Sequence, residues 1–263
     1  MYRFSYQKPT DLAQAAALLS AGGQALAGGQ TLLASMKQRL IQPESLIDLA
    51  SVSTLSGLSE QEGQIQVGAM TRHAAVASSD LVRGKIPALA RLAGGIGDRQ
   101  VRAMGTLGGS IANNDPSACY PSAVLGLGAV IHTNARTIAA DDFFLGMYAT
   151  ALEPGELVTA VRFPVPQRAG YAKFKQPASR YAVVGVFVAQ FAHGVRVAVT
   201  GAGNGVFRHA GLEAALTASF TPSAVEGVSV DSASLNSDLH ASADYRAQLI
   251  LVQTQRAVEQ ALG

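Results

Sequence analysis

The chain has one cysteine, no tryptophan and no long apolar run. Cys119 cannot form an internal disulfide, and it cannot supply the several thiolates of an iron–sulfur cluster or of an all-cysteine zinc site. The longest apolar runs, residues 123–131 and 182–189, are about half the roughly 18 residues that a membrane-spanning helix needs. Residues 1–11 lack the apolar segment of a secretory signal, so we expect a cytoplasmic protein.

Charge is also scarce and evenly mixed. Charged residues make up 14% of the 263 positions, and 20 basic against 18 acidic side chains leave a formal net charge of +2 without runs of one sign. This distribution lacks the basic patch that binding to nucleic acid or to an anionic membrane requires. The hydrophobic fraction of 48% predicts a folded chain, and its length favours two domains.

Familiar hydrolytic motifs are missing. The five histidines are scattered without an H-E-x-x-H pair, so no metalloprotease site is predicted. Ser110 follows Gly108-Gly109 but precedes Ile111-Ala112, and the nucleophile motif G-x-S-x-G therefore fails at its last glycine. What stands out instead is the number of glycines, 27, several of them in pairs.

Hydrophobic periodicity predicts a mixed α+β chain. Strands are expected at 24–27, 46–49 and 65–69, and helices at 11–20, 32–40 and 87–93, with a further helix that Thr71 would cap. Residues 101–121 are rich in Gly, Asn, Asp and Pro, and their few apolar positions predict an ordered segment without a helix.

A proline-bounded segment around residue 168 predicts a domain boundary, with domains at 1–167 and 168–263. Downstream, residues 171–175, 183–192 and 195–200 are predicted to form three consecutive strands, with a hairpin turn at His193-Gly194. Helices are expected at 209–218 and 243–262, the second with Tyr245, Leu249, Val252, Val258 and Leu262 on one face.

One glycine cluster is interpreted as a structural turn. Gly201-Ala202-Gly203-Asn204-Gly205 resembles a dinucleotide fingerprint, but Val206 occupies the place of the third glycine. The strands before it are also predicted to be antiparallel, whereas the fingerprint belongs to a parallel βαβ unit.

Two other glycine segments are candidates for binding a phosphate group. In the first, Ala27-Gly28-Gly29-Gln30-Thr31-Leu32-Leu33, the chain leaves a strand and enters a helix, whose free N–H groups can bind an anion without a lysine. In the second, residues 105–116 (GTLGGSIANNDP), hydroxyl, amide and carboxylate side chains accompany the glycines. Each segment alone is equally consistent with an ordinary turn, but together they could enclose one dinucleotide.

These two segments resemble those of the FAD-binding medium subunit of the molybdenum hydroxylases, the xanthine dehydrogenase and carbon monoxide dehydrogenase family. The similarity extends over nearly the whole chain. It includes the short motifs FSYQKP at 4–9, MKQRL at 36–40, VGAMTR at 67–72, QVR at 100–102, GEL at 155–157, FKQPASRYA at 174–182 and DYR at 244–246.

The resemblance implies an α+β fold with a two-lobed FAD-binding domain of the PCMH type, with lobes at about 1–55 and 56–167. A small domain with a three-stranded antiparallel sheet and helices is expected to follow. It also implies a set of cofactor-binding positions: Ala27, Gly28, Gly29, Gln30, Thr31, Leu32, Leu33, Thr106, Gly108, Gly109 and Ser110 at the pyrophosphate, Asn113 and Asp115 near the ribityl chain, and Ile96, Val158 and Lys175 at the isoalloxazine ring.

The implied function is electron transfer. In this family the FAD subunit takes electrons from a [2Fe-2S] small subunit and passes them to an external acceptor, while a molybdopterin-binding large subunit hydroxylates the substrate in a heterohexamer. Many relatives carry an aspartate that reaches the ribityl chain where this sequence has Cys119, so one flavin hydrogen bond is in doubt. Two alternatives stay open: a freestanding flavin oxidoreductase with its own substrate, and a flavin-free assembly subunit.

Overall fold

The computed structural model describes all residues, 1–263, and combines fourteen strands in four sheets with eleven α-helices. The strands are β1 (Ser5–Gln7), β2 (Gln24–Leu26), β3 (Ser45–Asp48), β4 (Leu58–Gln61), β5 (Gln64–Gly68), β6 (Val130–Thr133), β7 (Thr137–Ala139), β8 (Phe144–Gly146), β9 (Ala149–Thr150), β10 (Val158–Pro164), β11 (Arg168–Lys175), β12 (Ala182–Phe191), β13 (Gly194–Thr200) and β14 (Phe207–Arg208). The helices are α1 (Leu12–Ser20), α2 (Leu32–Lys37), α3 (His73–Ser78), α4 (Asp80–Lys85), α5 (Pro87–Gly94), α6 (Arg99–Met104), α7 (Leu107–Asn113), α8 (Tyr120–Gly126), α9 (Ala140–Phe143), α10 (Ala210–Ala218) and α11 (Ala243–Leu262). None of the helices is long and apolar enough to cross a membrane.

The N-terminal lobe is a small parallel sheet in the order β1-β3-β2, joined by α1 and α2. Asp11 begins α1 because its carboxylate accepts a hydrogen bond from the N–H of Gln14, 2.8 Å away. Ala15 of α1 and Ile47 of β3 lie fully buried in the core of this lobe. The strand, turn, helix and strand predicted for residues 24–49 are therefore present, and the turn between β2 and α2 carries Gly28 and Gly29.

The second lobe is built on an antiparallel sheet in the order β4-β5-β10-β6-β7. The central strand β10 pairs with β5 and β6, and its Val161 and Phe163 are fully buried. The helix after β5 begins without help from Thr71, whose hydroxyl instead bonds the N–H and carbonyl of Gly57. The prediction that Thr71 caps this helix is wrong.

Residues 101–121, predicted to contain no helix, form the end of α6, all of α7 and the start of α8. Thr106 begins α7 by accepting a hydrogen bond from the N–H of Gly109, 3.2 Å away. The helix packs so closely on the residue after β5 that a Cβ at Gly108 would lie 2.5 Å from the Cβ of Ala69. The prediction failed because α7 has only seven residues and buries a glycine between Leu107 and Ile111, which is too short an apolar pattern to indicate a helix.

The C-terminal part contains the three predicted antiparallel strands, β11, β12 and β13, with the two-residue β14 added at the edge. Helix α11 packs across β11 and β12, so closely that a Cβ at Gly170 would overlap the Ala257 carbonyl oxygen. Its buried face includes Arg246 and Gln253, whereas Tyr245 and Leu262 are 46% exposed. The apolar face predicted for this helix is therefore only partly correct.

The largest hydrophobic core joins the second lobe to the C-terminal sheet. Tyr171 of β11 and Phe187 of β12 belong to the same buried cluster as Tyr120 and Val124 of α8. The polypeptide passes from β10 to β11 between Pro164 and Arg168. The two parts are thus packed against each other over a shared apolar interface.

Candidate functional site

One large cavity, about 770 Å³ in volume, lies where the two lobes and the C-terminal sheet meet. This volume is in the upper part of the range of ligand-binding cavities. The cavity is lined by most of the predicted cofactor-binding residues: Ala27, Gly28, Gly29, Gln30, Thr31, Leu32, Ile96, Thr106, Gly108, Gly109, Ser110, Asn113, Asp115 and Val158. Leu33 and Lys175, also predicted, lie outside the lining.

The turn between β2 and α2 lines this cavity and contains a row of free backbone donors. The N–H groups of residues 28–32 have no acceptor within the chain, and the first bonded amide is that of Leu33, 3.1 Å from the carbonyl of Gly29. Gly29 has φ +69°, a conformation that favours glycine, and Leu33 packs beneath it. Consecutive N–H groups at a helix start provide a binding place for phosphate oxygens.

Gly28 also has a structural reason to be glycine. A Cβ at this position would overlap the carbonyl oxygen of Met104 and lie 2.7 Å from the Cα of Gly105. The first glycine segment therefore rests directly on the backbone at the α6–α7 junction. This contact brings the two predicted phosphate-binding segments to the same end of the cavity.

The second segment offers polar side chains to the cavity, and the N–H groups of its glycine pair are not free. The N–H of Gly108 is bonded to the carbonyl of Ala69 at 2.8 Å, and that of Gly109 to the hydroxyl of Thr106. By contrast, the Ser110 hydroxyl and the Asn113 amide make no hydrogen bond within the chain and line the cavity. The polar donors available here are therefore these two side chains.

Asn114 and Tyr148, which sequence analysis did not single out, shape the rim of the cavity. Asn114 is fully buried, with φ +43°, and its amide donates to the carbonyls of Gly146 (2.7 Å) and Ala149 (2.8 Å) in the β8–β9 hairpin. Tyr148 lies at the hairpin tip, and its hydroxyl donates to Asp115 at 3.3 Å. Burial and the neighbouring Asp115 carboxylate raise the pKa of Tyr148. Asn often adopts the left-handed conformation in proteins. The hydrogen bond of Asn114 to Gly146, however, joins residues 32 positions apart, so no local sequence pattern could have predicted it.

Ile96 and Val158, predicted to flank a flavin ring, both line the cavity. Ile96 lies in a loop whose carbonyls are held by cationic side chains. The guanidinium of Arg102 donates to the carbonyls of Ile96 (2.9 Å) and Gly97 (3.0 Å), and that of Arg180 to Gly97 (3.4 Å). The position of this aliphatic wall is thus fixed by side chains from two parts of the fold.

The lysine that lines the cavity is Lys173 rather than Lys175. Strict alternation along β11 would place both side chains on one face, but the pairing register shifts at Phe174/Lys175 and the strand ends there. Lys175 is exposed. The ammonium of Lys173 lies 3.5 Å from the Sγ of Cys119, which is 6% exposed, lines the cavity and precedes α8.

His73 lies under the second glycine segment and is 5% exposed. A Cβ at Gly105 would lie 2.6 Å from its Nε2 atom, so this glycine makes room for the imidazole. Burial, together with the nearby Arg102 guanidinium, lowers the pKa of His73 to about 4. The ring is therefore neutral at pH 7 and acts as a packing element at the cavity wall, next to Tyr120.

A cavity lined both by residues with free N–H donors and by the aliphatic side chains of Ile96 and Val158 suits a dinucleotide with an aromatic head group. Comparison with known proteins identifies the family. Residues 2–166 match the family described as FAD binding domain in molybdopterin dehydrogenase. The chain is therefore an FAD-binding oxidoreductase subunit. More particularly, it belongs to the family of FAD-binding medium subunits of molybdenum hydroxylases.

Three relatives illustrate the similarity. The carbon monoxide dehydrogenase medium chain of Afipia carboxidovorans is 36% identical, and the match covers 98% of this chain and 96% of the relative. The nicotine 6-hydroxylase medium subunit of Paenarthrobacter nicotinovorans is 34% identical, with 97% and 96% covered. In the solved structure of CO dehydrogenase from Oligotropha carboxidovorans, one chain is 32% identical with a TM-score of 0.89, and the match covers 99% of this chain and 98% of that chain.

Proposed function

We propose that FAD occupies the cavity and that this chain carries electrons from a [2Fe-2S] partner subunit to an external acceptor. The observation that supports this best is the row of unpaired N–H groups at residues 28–32, all of which line the cavity. The pyrophosphate would accept hydrogen bonds from these groups and from Ser110, and the isoalloxazine ring would lie between Ile96 and Val158.

FAD supplies the redox chemistry, because its ring system can accept electrons singly and release them as a pair. The protein has to bind the cofactor, orient it and control its electrostatic surroundings. The backbone donors at residues 28–32 hold negative charge without a cationic side chain. The aliphatic side chains of Ile96 and Val158 would exclude water from the two faces of the ring.

The partners are proposed from the relatives. Their names describe medium chains and medium subunits, which are parts of larger complexes. We propose a [2Fe-2S] small subunit and a molybdopterin-binding large subunit, assembled as a dimer of heterotrimers in the cytoplasm. The only cysteine, Cys119, leaves the cluster chemistry to another chain.

Purification of the tagged chain from its native host tests this proposal. We expect one noncovalent FAD per chain, released by acid as FAD and not as FMN, together with co-purifying subunits that contain iron, acid-labile sulfide and molybdenum. Size-exclusion chromatography should give a mass far above that of a single chain. Substrate turnover by the isolated chain would favour a freestanding flavin oxidoreductase, and failure to bind FAD on reconstitution would favour an assembly subunit.

Two glycine variants test the position of the pyrophosphate. Gly29→Val places a β-branched side chain at φ +69°, and Gly109→Val directs one at the Thr106 hydroxyl, 2.9 Å from the new Cβ. Both should release FAD while the circular dichroism spectrum stays close to that of the parent. Gly84→Ala is the matched control because a Cβ there meets no atom within 4 Å. If both valine variants hold FAD as tightly as the parent, the pyrophosphate lies elsewhere.

A further inference from the structure

Lys173 is a cation of the cavity wall that no carboxylate neutralises. Its ammonium donates to the carbonyls of Gly95 (2.8 Å) and Arg180 (3.0 Å) and to the Sγ of Cys119 (3.5 Å). None of these three acceptors, two backbone carbonyls and one thiol, is a carboxylate. None of the ion pairs of the chain includes Lys173. Its full positive charge is therefore held at the cavity.

The acidic side chains that line the same cavity are committed elsewhere. Asp115 accepts hydrogen bonds from the N–H of Ser117 (2.8 Å) and the hydroxyl of Tyr148. Glu156 is bound by Arg136 at 3.0 Å, and this contact helps to lower the pKa of Glu156 to about 2. Neither carboxylate lies within 4 Å of the Lys173 ammonium.

The location of Lys173 specifies which part of a dinucleotide its charge would meet. The unpaired N–H groups that suit a pyrophosphate belong to the N-terminal lobe. Lys173 contacts Gly95, the residue before Ile96, and so belongs to the wall proposed for the isoalloxazine ring. Its charge therefore acts on the redox-active end of the cofactor.

We infer that Lys173 raises the reduction potential of the bound FAD by stabilising the reduced ring as an anion. The inference rests on the proposed function. When two electrons and one proton enter the oxidised ring, the product carries one negative charge; a second proton would neutralise it. A cation that is held nearby by neutral partners favours the anionic product over the uncharged oxidised ring.

Four variants separate this electrostatic role from a purely structural one. Lys173→Met removes both the charge and the hydrogen bonds, and Lys173→Arg keeps the charge. Cys119→Asp leaves Lys173 in place but sets a carboxylate beside its ammonium, which would cancel the charge. Lys8→Met is the matched control, because Lys8 is exposed, lies outside the cavity lining and is not among the predicted cofactor-binding residues.

The measurements are the FAD content, the dissociation constants of oxidised and reduced FAD, and the two-electron midpoint potential of each reconstituted protein, with dithionite as reductant. We expect Lys173→Met and Cys119→Asp to weaken reduced FAD about tenfold relative to oxidised FAD, which lowers the potential by about 30 mV for a two-electron couple. Lys173→Arg and Lys8→Met should stay at the parent potential. In Lys173→Met and Cys119→Asp, the spectrum of the reduced flavin should also change from the anionic to the neutral form at a higher pH than in the parent.

Other results would overturn the inference. If Lys173→Met weakens oxidised and reduced FAD equally, and Cys119→Asp leaves the potential unchanged, Lys173 only holds the loops of Gly95 and Arg180 together. If Lys173→Met retains no FAD, the Cys119→Asp protein alone decides, because it keeps the hydrogen bonds of Lys173 to the carbonyls of Gly95 and Arg180. A parent protein that binds no FAD at all would instead overturn the proposed function, and with it this inference.

Discussion

The contact between Gly28 and the α6–α7 junction allows one substitution to be predicted in detail. In Gly28→Ala the added Cβ would overlap the Met104 carbonyl oxygen and lie 2.7 Å from the Cα of Gly105, whereas ordinary contact begins at 3.4 Å. All of these neighbours are backbone atoms, which cannot move aside as a flexible side chain does. The β2–α2 turn must therefore withdraw by about 1 Å from the second glycine segment.

A withdrawal of this size would take the free N–H groups out of hydrogen-bonding distance of a pyrophosphate. A bond of about 2.9 Å becomes one of about 4 Å, which is no longer a hydrogen bond. Bonds to a charged acceptor contribute about 1.5 to 3 kcal/mol each, so the loss of two of them corresponds to at least about 3 kcal/mol. We therefore expect the dissociation constant of FAD to rise by about two orders of magnitude. Strain in the apo-protein should cost about 1 to 3 kcal/mol of unfolding free energy.

Titration of apo-protein with FAD, followed by flavin fluorescence, measures the first effect, and urea unfolding of the same preparation measures the second. Gly84→Ala is the control: its Cβ meets no atom, and alanine in a helix is favoured over glycine by up to about 1 kcal/mol. If Gly28→Ala binds FAD as tightly as the parent while its stability falls, the turn supports the fold but does not hold the cofactor. If neither property changes, the close contact with Met104 is itself wrong.

Three further predictions concern the walls of the cavity. Because burial lowers the pKa of His73 to about 4, the unfolded chain takes up a proton on this residue between pH 6.5 and 4 and the folded chain does not. Unfolding free energy should thus fall by about 2 kcal/mol from pH 7 to pH 5 in urea titrations, and this part should vanish in His73→Gln but persist in the exposed variant His193→Gln. Cys119→Asp should keep the parent melting temperature in thermal scans, because the new carboxylate would replace a thiol that lies 3.5 Å from the Lys173 ammonium and could pair with that cation. A drop of many degrees would make Cys119 a packing residue only. Asn114→Ala removes both side-chain hydrogen bonds to the β8–β9 hairpin, so hydrogen exchange in that hairpin should become at least tenfold faster, and unchanged rates would show that other contacts hold it.

Local sequence signals correctly predicted those elements whose defining residues lie close together in the chain. The helix predicted at 11–20, the strand predicted at 195–200 and the glycine pair after β2 each depend on residues close in sequence, and the corresponding helix, strand and turn are present. The resemblance to the molybdenum hydroxylase medium subunits likewise rested on motifs that can be recognised without coordinates, and the family match over residues 2–166 bears it out.

The failures share a cause, which is that contacts between distant parts of the chain replaced the expected local signal. Helix α7 was missed because it is short and because one of its three buried residues is a glycine, Gly108, which packs on Ala69, 39 positions away in sequence. Lys175 at the flavin ring, which the resemblance implies, stays a prediction; the structure shows that Lys173 lines the cavity, and no local pattern reveals the register shift at the end of β11. The role of Asn114 depends on the hairpin that follows it by about 30 residues, so a sequence pattern could not indicate it.

Composition and short motifs, which act locally, are enough to predict a folded, cysteine-poor protein with two glycine segments suited to a dinucleotide. How the two segments work together depends on contacts between residues that are far apart in the chain. In the folded chain, Gly28 lies against the Met104 carbonyl, and the Gly108 N–H donates to the carbonyl of Ala69, whereas the N–H groups of residues 28–32 stay free. The ammonium of Lys173 lies at the cavity wall. Such properties arise where backbones from different lobes approach within contact distance, and the spacing of residues along a chain does not encode that distance.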